Sequence, residues 1–172
     1  MKDYFFGKIT SNVLHFAKKL KLEIEEAEII EAKDIKELKN KMKSLKNKVV
    51  FLSSINYKLN RFAVENKLVN GLINIELHPK QDFTHFRRAG LDDVLAKFMK
   101  EKDVAYVVNF NLLLNPPKNF ERCLILGRMM QNIKIANTNK TRIIVTSGAK
   151  DMFELKSKAV LKSFIKIISE KI

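Results

Sequence analysis

The sequence alternates short runs of β-branched and aromatic residues with longer amphipathic stretches, and this alternation continues from end to end. It is typical of β-α units that build a parallel sheet. The predicted strands recur at intervals of roughly 20 to 40 residues. They cover residues 4–9, 27–32, 49–53, 72–77, 104–110 and 142–146. The sequence therefore predicts an α/β fold.

The amphipathic stretches predict helices between these strands. One helix starts at Asp34 and Glu37, which form a capping-box pattern, and another follows Leu91. Asp92 and Asp93 are assigned to the first turn of that second helix, where acidic side chains complement the helix dipole. A long helix is predicted at residues 119–137 and a last one at residues 155–169. The buried row of the long helix is predicted to be Cys123, Leu126, Met130 and Ile133.

No linker rich in Pro, Gly or Ser interrupts the pattern, so we expect a single domain over residues 1–172. An open doubly wound sheet and a (β/α) barrel both fit the alternation. The first usually has a Gly-rich phosphate turn after its first strand, whereas the stretch FGKITSN offers a single Gly. A complete eight-unit barrel needs about 250 residues, so the barrel would be reduced or incomplete.

The chain has no long apolar run and no apolar segment near its start. These features indicate neither a membrane span nor a secretory signal, and we expect a soluble, cytoplasmic protein without a membrane partner. Its only cysteine, Cys123, has no second cysteine with which to form an internal disulfide. We interpret Cys123 as a small apolar residue of the core.

The charge is large and unevenly distributed. The chain contains 33 Lys and Arg against 19 Asp and Glu, for a net charge of +14. Residues 1–33 contain equal numbers of basic and acidic residues, so residues 34–172 carry the whole excess. Such an imbalance favours a polyanionic partner, because phosphates neutralise the mutual repulsion of the basic side chains.

The histidines allow an alternative hypothesis, a metal-dependent phosphoesterase. Glu76, His78, Asp82 and His85 follow one predicted strand, where a barrel enzyme holds its ligands. However, the sequence has no HxH or HExxH spacing. Ser147, in the stretch TSGA, lacks the GxSxG context of a nucleophile. We interpret TSGA as a turn that uses Gly148 for its backbone freedom and presents Ser147 to a phosphate. No catalytic residue, bound metal or cofactor is predicted for the chain.

The stretch HFRRAGLDD places two arginines just before a helix, in a loop. The planar guanidinium group suits phosphate recognition, and arginines in loops are good candidates for contacts with a nucleic-acid backbone. Other basic residues recur near predicted loops and helix ends. The predicted RNA contacts are Arg61, Lys80, Arg87, Arg88, Arg122, Arg128, Lys150 and Lys156.

Three blocks in collinear order resemble a known family. They are LNRFAVENKLVNGLIN, FTHFRRAGLDDVLAKFMKEKDVAYVVNFNLLL and RCLILGRMMQNIKIANTNKTRIIVTSGAKDMFELKS, which together span roughly residues 45–165. They are similar to a helix with Asn-Arg, a central aromatic-His-x-Arg loop with a Gly-Leu-Asp helix, and a long Arg-bearing helix with its closing loop. The family is archaeal ribonuclease P protein component 3, the p30-type subunits.

The resemblance implies a reduced TIM-barrel-like fold and a non-catalytic protein that binds the catalytic ribonuclease P RNA. It also implies a heterotetramer with ribonuclease P protein component 2, beside other protein subunits. In this family the RNA, assisted by Mg²⁺, removes the 5′ leader of precursor tRNA, and the protein supports the fold and activity of the RNA.

The chain departs from the family pattern near its end. The closing Leu-Arg-Ser-Pro of the family is here Leu155, Lys156, Ser157 and Lys158, so a point charge replaces a forked donor. Family members usually continue with one more strand and helix. We therefore expect a barrel that is open at the seam between its first and last strands, with a partner covering the sheet edges.

Overall fold

The computed structural model describes residues 2–45, 47–118 and 120–170. Strands and helices alternate along the chain as the sequence predicts, and a short 3-10 helix (Met152–Glu154) precedes the last helix. The elements are β1 (Lys2–Phe5), α1 (Ser11–Lys19), β2 (Glu23–Ile30), α2 (Ile35–Ser44), β3 (Val49–Ser53), α3 (Tyr57–Glu65), β4 (Gly71–Ile73), α4 (Asp93–Glu101), β5 (Ala105–Asn109), α5 (Asn111–Leu114), α6 (Arg122–Thr138), β6 (Ile143–Thr146) and α7 (Lys158–Glu170).

The six strands form a parallel sheet in the order β1-β2-β3-β4-β5-β6. Each strand pairs with the next one along the chain, as in the register Leu52 opposite Leu72 and Leu72 opposite Tyr106. This sequential parallel order is that of a (β/α) barrel rather than of a doubly wound sheet, in which the strand order reverses. The predicted incomplete TIM-barrel-like fold is confirmed as a nearly closed six-stranded barrel.

The strands separate two apolar layers, because successive side chains of a strand point to opposite faces. Ala27, Phe51, Ile73, Ala105 and Val107 form one buried cluster, inside the barrel. The alternate strand residues belong to a larger cluster shared with the helices. Its strand members include Val50, Leu52, Leu72, Tyr106 and Val108, and its helix members include Leu38, Leu59, Leu95, Met129 and Ile133. Burial of each large side chain stabilises the fold by about 1.5–3 kcal/mol.

Polar side chains fix the starts of the helices. Asp34 accepts a hydrogen bond from the Glu37 amide at 2.8 Å, and Asp92 accepts one from the Leu95 amide at 2.7 Å. These carboxylates satisfy amides that have no partner inside the helix. The assignment of Asp92 and Asp93 to the start of a helix is confirmed. Each cap sets where the chain leaves a loop and begins its return along the barrel.

Several predicted boundaries were wrong. β4 ends at Ile73 rather than at residue 77, because Asn74 takes a left-handed conformation with φ of 58°. β1 ends at Phe5, four residues early, whereas β2 is longer than predicted. Asn119, the predicted start of the long helix, lies outside the described residues, and α6 begins at Arg122.

The predicted buried row of α6 was right in part: Ile133 is buried, and Leu126 and Met130 are half-buried against the core. Cys123 is exposed, and its thiol lies 3.3 Å from Glu121 Oε2, so it is not a residue of the core. The residues that α6 buries are Ile125, Arg128, Met129, Asn132, Ile133 and Ala136. Two polar side chains therefore lie on the buried face of this helix, and apolar periodicity by itself missed them.

A buried carboxylate bridges β1 and β6, the first and last strands of the nearly closed barrel. Asp3 accepts hydrogen bonds from Thr146 Oγ1 at 2.7 Å, from the Ser147 amide at 2.9 Å and from Ser147 Oγ at 2.5 Å. Burial raises the pKa of Asp3, and the hydrogen bonds from Ser147 and Thr146 oppose that rise. Ser147 is fully buried, so its predicted presentation to a phosphate was wrong. The seam, predicted to be open, is bridged by Asp3.

The turn after the seam requires glycine, as the sequence predicts. Gly148 has φ of 74°, and a Cβ at this position would lie 1.9 Å from Asn109 Oδ1. The turn brings the chain back toward β1, where the Phe6 amide donates to the Ala149 carbonyl at 2.8 Å. Backbone and side chain thus hold the two end strands together.

We expect the substitution Asp3→Ala to lower the free energy of unfolding by about 2–4 kcal/mol, because each buried donor left without an acceptor costs about 1–3 kcal/mol. Urea denaturation followed by circular dichroism measures this loss. The matched control is Asp103→Asn, which removes the charge of an exposed carboxylate paired with Arg142 and suits the left-handed backbone at this position. It should cost no more than about 1 kcal/mol. Equal small losses for the two variants would show that Asp3 does not hold the seam.

Candidate nucleic-acid interface

The loop between β4 and α4, residues 74–92, brings three of the predicted RNA contacts together. Lys80 and Arg87 are exposed on this loop, and Arg88 is half-buried. Because all strands are parallel, the loops that follow them lie at one end of the barrel, where barrel proteins carry their functional groups. We call residues 74–92 the β4–α4 loop, and it is the main candidate interface.

A buried arginine from α6 holds this loop. Arg128 has no exposed surface, and its guanidinium group donates to the carbonyls of Glu76, His78 and Lys80 at 2.7–2.8 Å. It also forms a salt bridge of 2.8 Å with Asp82. Burial by itself would raise the pKa of Asp82, but the hydrogen bonds from Arg128 and from the Arg88 amide lower it. The loop therefore wraps around one guanidinium group.

The prediction that Arg128 contacts RNA was wrong, because its side chain is inside the protein and all three of its guanidinium nitrogens are engaged. Arg128 positions the loop that carries the exposed basic residues. Sequence reasoning missed this role because it placed Arg128 on the solvent side of α6. A signal was present: Arg128 and Asn132 lie four residues apart on one face, flanked by Ile125, Met129 and Ile133.

A second buried polar group lies beside Arg128. Glu76 accepts hydrogen bonds from the Tyr106 hydroxyl and from Asn132 Nδ2, the latter at 3.0 Å. Asn132 Nδ2 also donates to the Ala89 carbonyl at 2.7 Å, which fixes the orientation of the amide. Burial raises the pKa of Glu76 and that of Tyr106. The network connects β4, β5, α6 and the β4–α4 loop.

Among the described residues, Glu76 Oε2 and Asn132 Oδ1 are buried acceptors without a hydrogen-bond partner. Buried acceptors of this kind destabilise a protein unless a donor reaches them. A proton on Glu76 would turn one of its carboxylate oxygens into a donor. Burial therefore favours the neutral form of Glu76, whereas Tyr106, Asn132 and Arg128 favour its charged form, and the net pKa is raised.

Two arginines of the loop lie against their surroundings and keep part of the guanidinium free. Arg87 Nη1 donates to the Gly127 carbonyl at 2.9 Å, and a Cβ on Gly127 would lie 3.1 Å from Arg87 Cζ. Arg88 Nε donates to the Gln81 carbonyl at 3.1 Å, and its guanidinium group stacks over the Phe83 ring at 4.0 Å. Each arginine therefore has a defined position and unused donors for an anion.

The other predicted contacts lie elsewhere on the surface. Arg61, on α3, pairs with Glu65 at 2.7 Å, and Arg122, at the start of α6, donates to the Leu114 carbonyl at 2.9 Å. Lys150 and Lys156 follow β6, at the same end of the barrel as the β4–α4 loop. These four residues stay predictions of RNA contact.

The four residues of the metal-dependent alternative do not form a metal site. Glu76 is buried beside Tyr106, Asp82 is held by Arg128, and His78 Nδ1 lies 3.2 Å from the Lys80 amide that donates to it. Burial and the nearby Arg88, Arg128 and Lys80 lower the pKa of His78. Within the described ranges, no group of three or more His, Cys, Asp or Glu residues could hold a metal ion.

The mouth of the barrel is lined by amides. A cavity of about 610 Å³ is bordered by Asn74, Asn109, Asn111, Asn115 and Lys150, among other residues. Asn109 Nδ2 donates to Asn74 Oδ1 at 2.9 Å, and Asn111 Nδ2 donates to Glu154 at 3.2 Å. Amides neither titrate near neutral pH nor act as nucleophiles. The titratable side chains that border the same cavity are Glu28, Glu31 and Lys150.

In the part of the chain that the structure describes, no helix is long and apolar enough to cross a membrane. The fold and the loop define a class of protein. It is a parallel (β/α) barrel with a basic loop at the end where its strands finish, and with asparagines at its mouth. Comparison with known proteins makes this class specific.

No family model matches the chain. It is 27% identical over 165 residues to ribonuclease P protein component 3 of Methanococcus maripaludis. The aligned region covers 95% of this chain and 68% of that protein. It is also 28% identical over 170 residues to ribonuclease P protein component 3 of Methanocaldococcus jannaschii. That aligned region covers 98% of this chain and 70% of the relative.

A solved structure extends this similarity to three dimensions. One chain of a cryo-EM structure of archaeal ribonuclease P with mature tRNA superposes with a TM-score of 0.72 at 26% identity. The superposition covers 98% of this chain and 72% of that one. The resemblance seen in the sequence is confirmed, and the chain is a homologue of archaeal ribonuclease P protein component 3.

We expect Glu76→Gln to remove a pH dependence of stability. A carboxyl group whose pKa is raised on folding stabilises the protein below its unfolded pKa, and this contribution is lost as pH rises toward the folded pKa. Within that window wild-type stability should fall by about 1.4 kcal/mol per pH unit relative to the variant. Denaturation of both proteins between pH 4 and pH 8 measures the difference.

The glutamine retains an acceptor for Asn132 Nδ2 and removes the ionisable group. Glu101→Gln is a control for charge removal, since Glu101 is exposed at the end of α4. Parallel stability curves for wild type and Glu76→Gln would show instead that Glu76 is ionised and that Arg128 compensates its charge.

Proposed function

We propose that the chain is an RNA-binding protein subunit of ribonuclease P, the enzyme that removes the 5′ leader from precursor tRNA. The observation that carries this proposal is the similarity, over nearly the whole chain, to a chain of an archaeal ribonuclease P structure that contains tRNA. The homologues named ribonuclease P protein component 3 support the same role. The holoenzyme is an endoribonuclease, and this chain contributes to it without catalytic residues of its own.

The chemistry of the site fits a supporting role. The net charge of +14 opposes that of a polyanion, and the β4–α4 loop presents guanidinium groups with unused donors. In this proposal the catalytic RNA binds Mg²⁺ and performs the hydrolysis. The protein neutralises phosphates where RNA segments approach each other and so favours the active fold of the RNA.

The proposed RNA contacts are the exposed and half-buried basic residues that the sequence singles out, without Arg128. They are Arg61, Lys80, Arg87, Arg88, Arg122, Lys150 and Lys156. The proposed protein partners are ribonuclease P protein component 2, in a heterotetramer, and the other protein subunits of the enzyme. The proposed location is the cytoplasm, where precursor tRNA is processed in a cell without a nucleus.

Reconstitution tests the function directly. Ribonuclease P RNA, the partner protein subunits and precursor tRNA are combined with and without the chain, at the lowest Mg²⁺ concentration that supports cleavage. We expect the chain to increase the rate of leader removal severalfold, and the chain alone to cleave nothing. Equal rates with and without the chain would refute its role as a ribonuclease P subunit.

The double substitution Arg87→Ala/Arg88→Ala tests the proposed contacts. We expect weaker binding to ribonuclease P RNA and a shallower dependence of affinity on salt, because the slope falls by about one for each phosphate contact that is lost. Binding titrations at salt concentrations from about 50 to about 300 mM measure both the affinity and its dependence on salt.

The control for this experiment is Lys36→Ala/Lys43→Ala, which removes the same charge from the exposed face of α2. It should change the salt slope less than the loop variant does. Thermal denaturation of both variants shows whether they fold. A loop variant that folds and keeps the wild-type salt slope would remove Arg87 and Arg88 from the interface.

A further inference from the structure

The tip of the β4–α4 loop exposes two aromatic rings. Phe83 is 58% exposed and Phe86 is 54% exposed, although burial of a phenyl ring is favourable. The two residues exchange backbone hydrogen bonds, from the Phe83 amide to the Phe86 carbonyl at 2.8 Å and in the reverse direction at 3.4 Å. Residues paired in this way carry their side chains on the same side of the backbone. The two rings are therefore neighbours on one surface.

Hydrogen bonds with the rest of the protein hold the loop that carries these two rings. Arg128 binds the carbonyls of residues 76, 78 and 80, and Asp82 Oδ1 accepts from the Arg88 amide at 2.9 Å. Arg87 ties the other arm of the loop to α6 through the Gly127 carbonyl. A partner that binds an ordered loop loses less conformational freedom than one that must order the loop first. Two exposed phenyl rings on such a support are typical of an interaction surface.

The surroundings of the rings are basic. Arg88 stacks over Phe83, and Lys80 and Arg87 are exposed on the same loop. The three carboxylates of the loop are engaged elsewhere: Glu76 inside the protein, Asp82 with Arg128, and Asp92 at the start of α4. The partner that fits is an anion with flat apolar faces, and unpaired nucleotides combine a phosphate with such a face.

We propose that Phe83 and Phe86 stack on unpaired bases of an RNA partner while Lys80, Arg87 and Arg88 contact the adjacent phosphates. Bases inside a duplex are stacked on each other and are closed to these rings, so the loop prefers single-stranded segments. The inference deepens the proposed function, on which the identity of the RNA rests. In this inference the loop contacts phosphates and also distinguishes unpaired from paired bases.

The test compares two RNA probes of equal length, single-stranded oligouridylate and a blunt RNA duplex, by fluorescence anisotropy with the purified chain. Neither probe contains ribonuclease P sequence. For the variant Phe83→Leu/Phe86→Leu we expect the affinity for oligouridylate to fall by about tenfold or more, because stacking contributes substantially per base. The affinity for the duplex and the salt slope should stay near the wild-type values.

Two further variants make the result specific. Phe153→Leu is the matched control, because Phe153 is 75% exposed in the 3-10 helix outside this loop, and it should bind both probes like wild type. Phe83→Tyr/Phe86→Tyr keeps both rings and should retain binding of oligouridylate. The tyrosine variant also keeps the proposal testable if the leucine variant does not fold, since loss of binding by a folded tyrosine variant would contradict stacking.

Three outcomes would overturn the inference. The first is an unchanged affinity of the folded leucine variant for oligouridylate. The second is an equal loss for both probes, which indicates a general loss of charge contacts. The third is a leucine variant that binds both probes normally but fails to assemble with a protein subunit, which would assign the rings to a protein interface. Because the probes are generic, these results are separate from the reconstitution assay, which tests the ribonuclease P role by itself.

Discussion

A buried guanidinium group organises the functional end of this barrel. Taking the charge of Arg128 out of water costs several kcal/mol, and only close partners offset that cost. The structure provides them as the carboxylate of Asp82 and three backbone carbonyls of one loop. The loop can satisfy the arginine only by wrapping around it. The position of α6 and the conformation of the β4–α4 loop are therefore set together.

This arrangement separates the arginines by role. Arg128 is inside and shapes the loop, whereas Arg87 and Arg88 are held at its surface with donors to spare. The same loop lifts Phe83 and Phe86 away from the core. Four asparagines lie at the mouth of the barrel beside Glu28, Glu31 and Lys150, and Asn109 donates to Asn74. The molecule therefore presents an ordered basic loop at this end of the barrel.

The fold was predictable from the sequence because alternation of strand and helix patterns needs only local information. The caps at Asp34 and Asp92 were also predictable, since both follow from neighbouring residues. The errors have a common cause. Cys123 was placed in the core and Arg128 at the surface because polarity was taken as a guide to burial, and a polar side chain with partners from a distant segment breaks that rule.

The sequence by itself determined the parallel α/β architecture, the strong positive charge and the family resemblance, because each depends on composition, periodicity or the order of motifs. Only the tertiary structure decided that β1 and β6 meet through Asp3, that Arg128 and Asn132 face inward, and that Phe83 and Phe86 face outward. These features depend on pairs such as Asp3 with Ser147 and Asp82 with Arg128, whose members are far apart in the chain. Folding brings the two members of each pair together. Whether a polar side chain stays available to an RNA therefore depends on its partners in the fold rather than on its residue type.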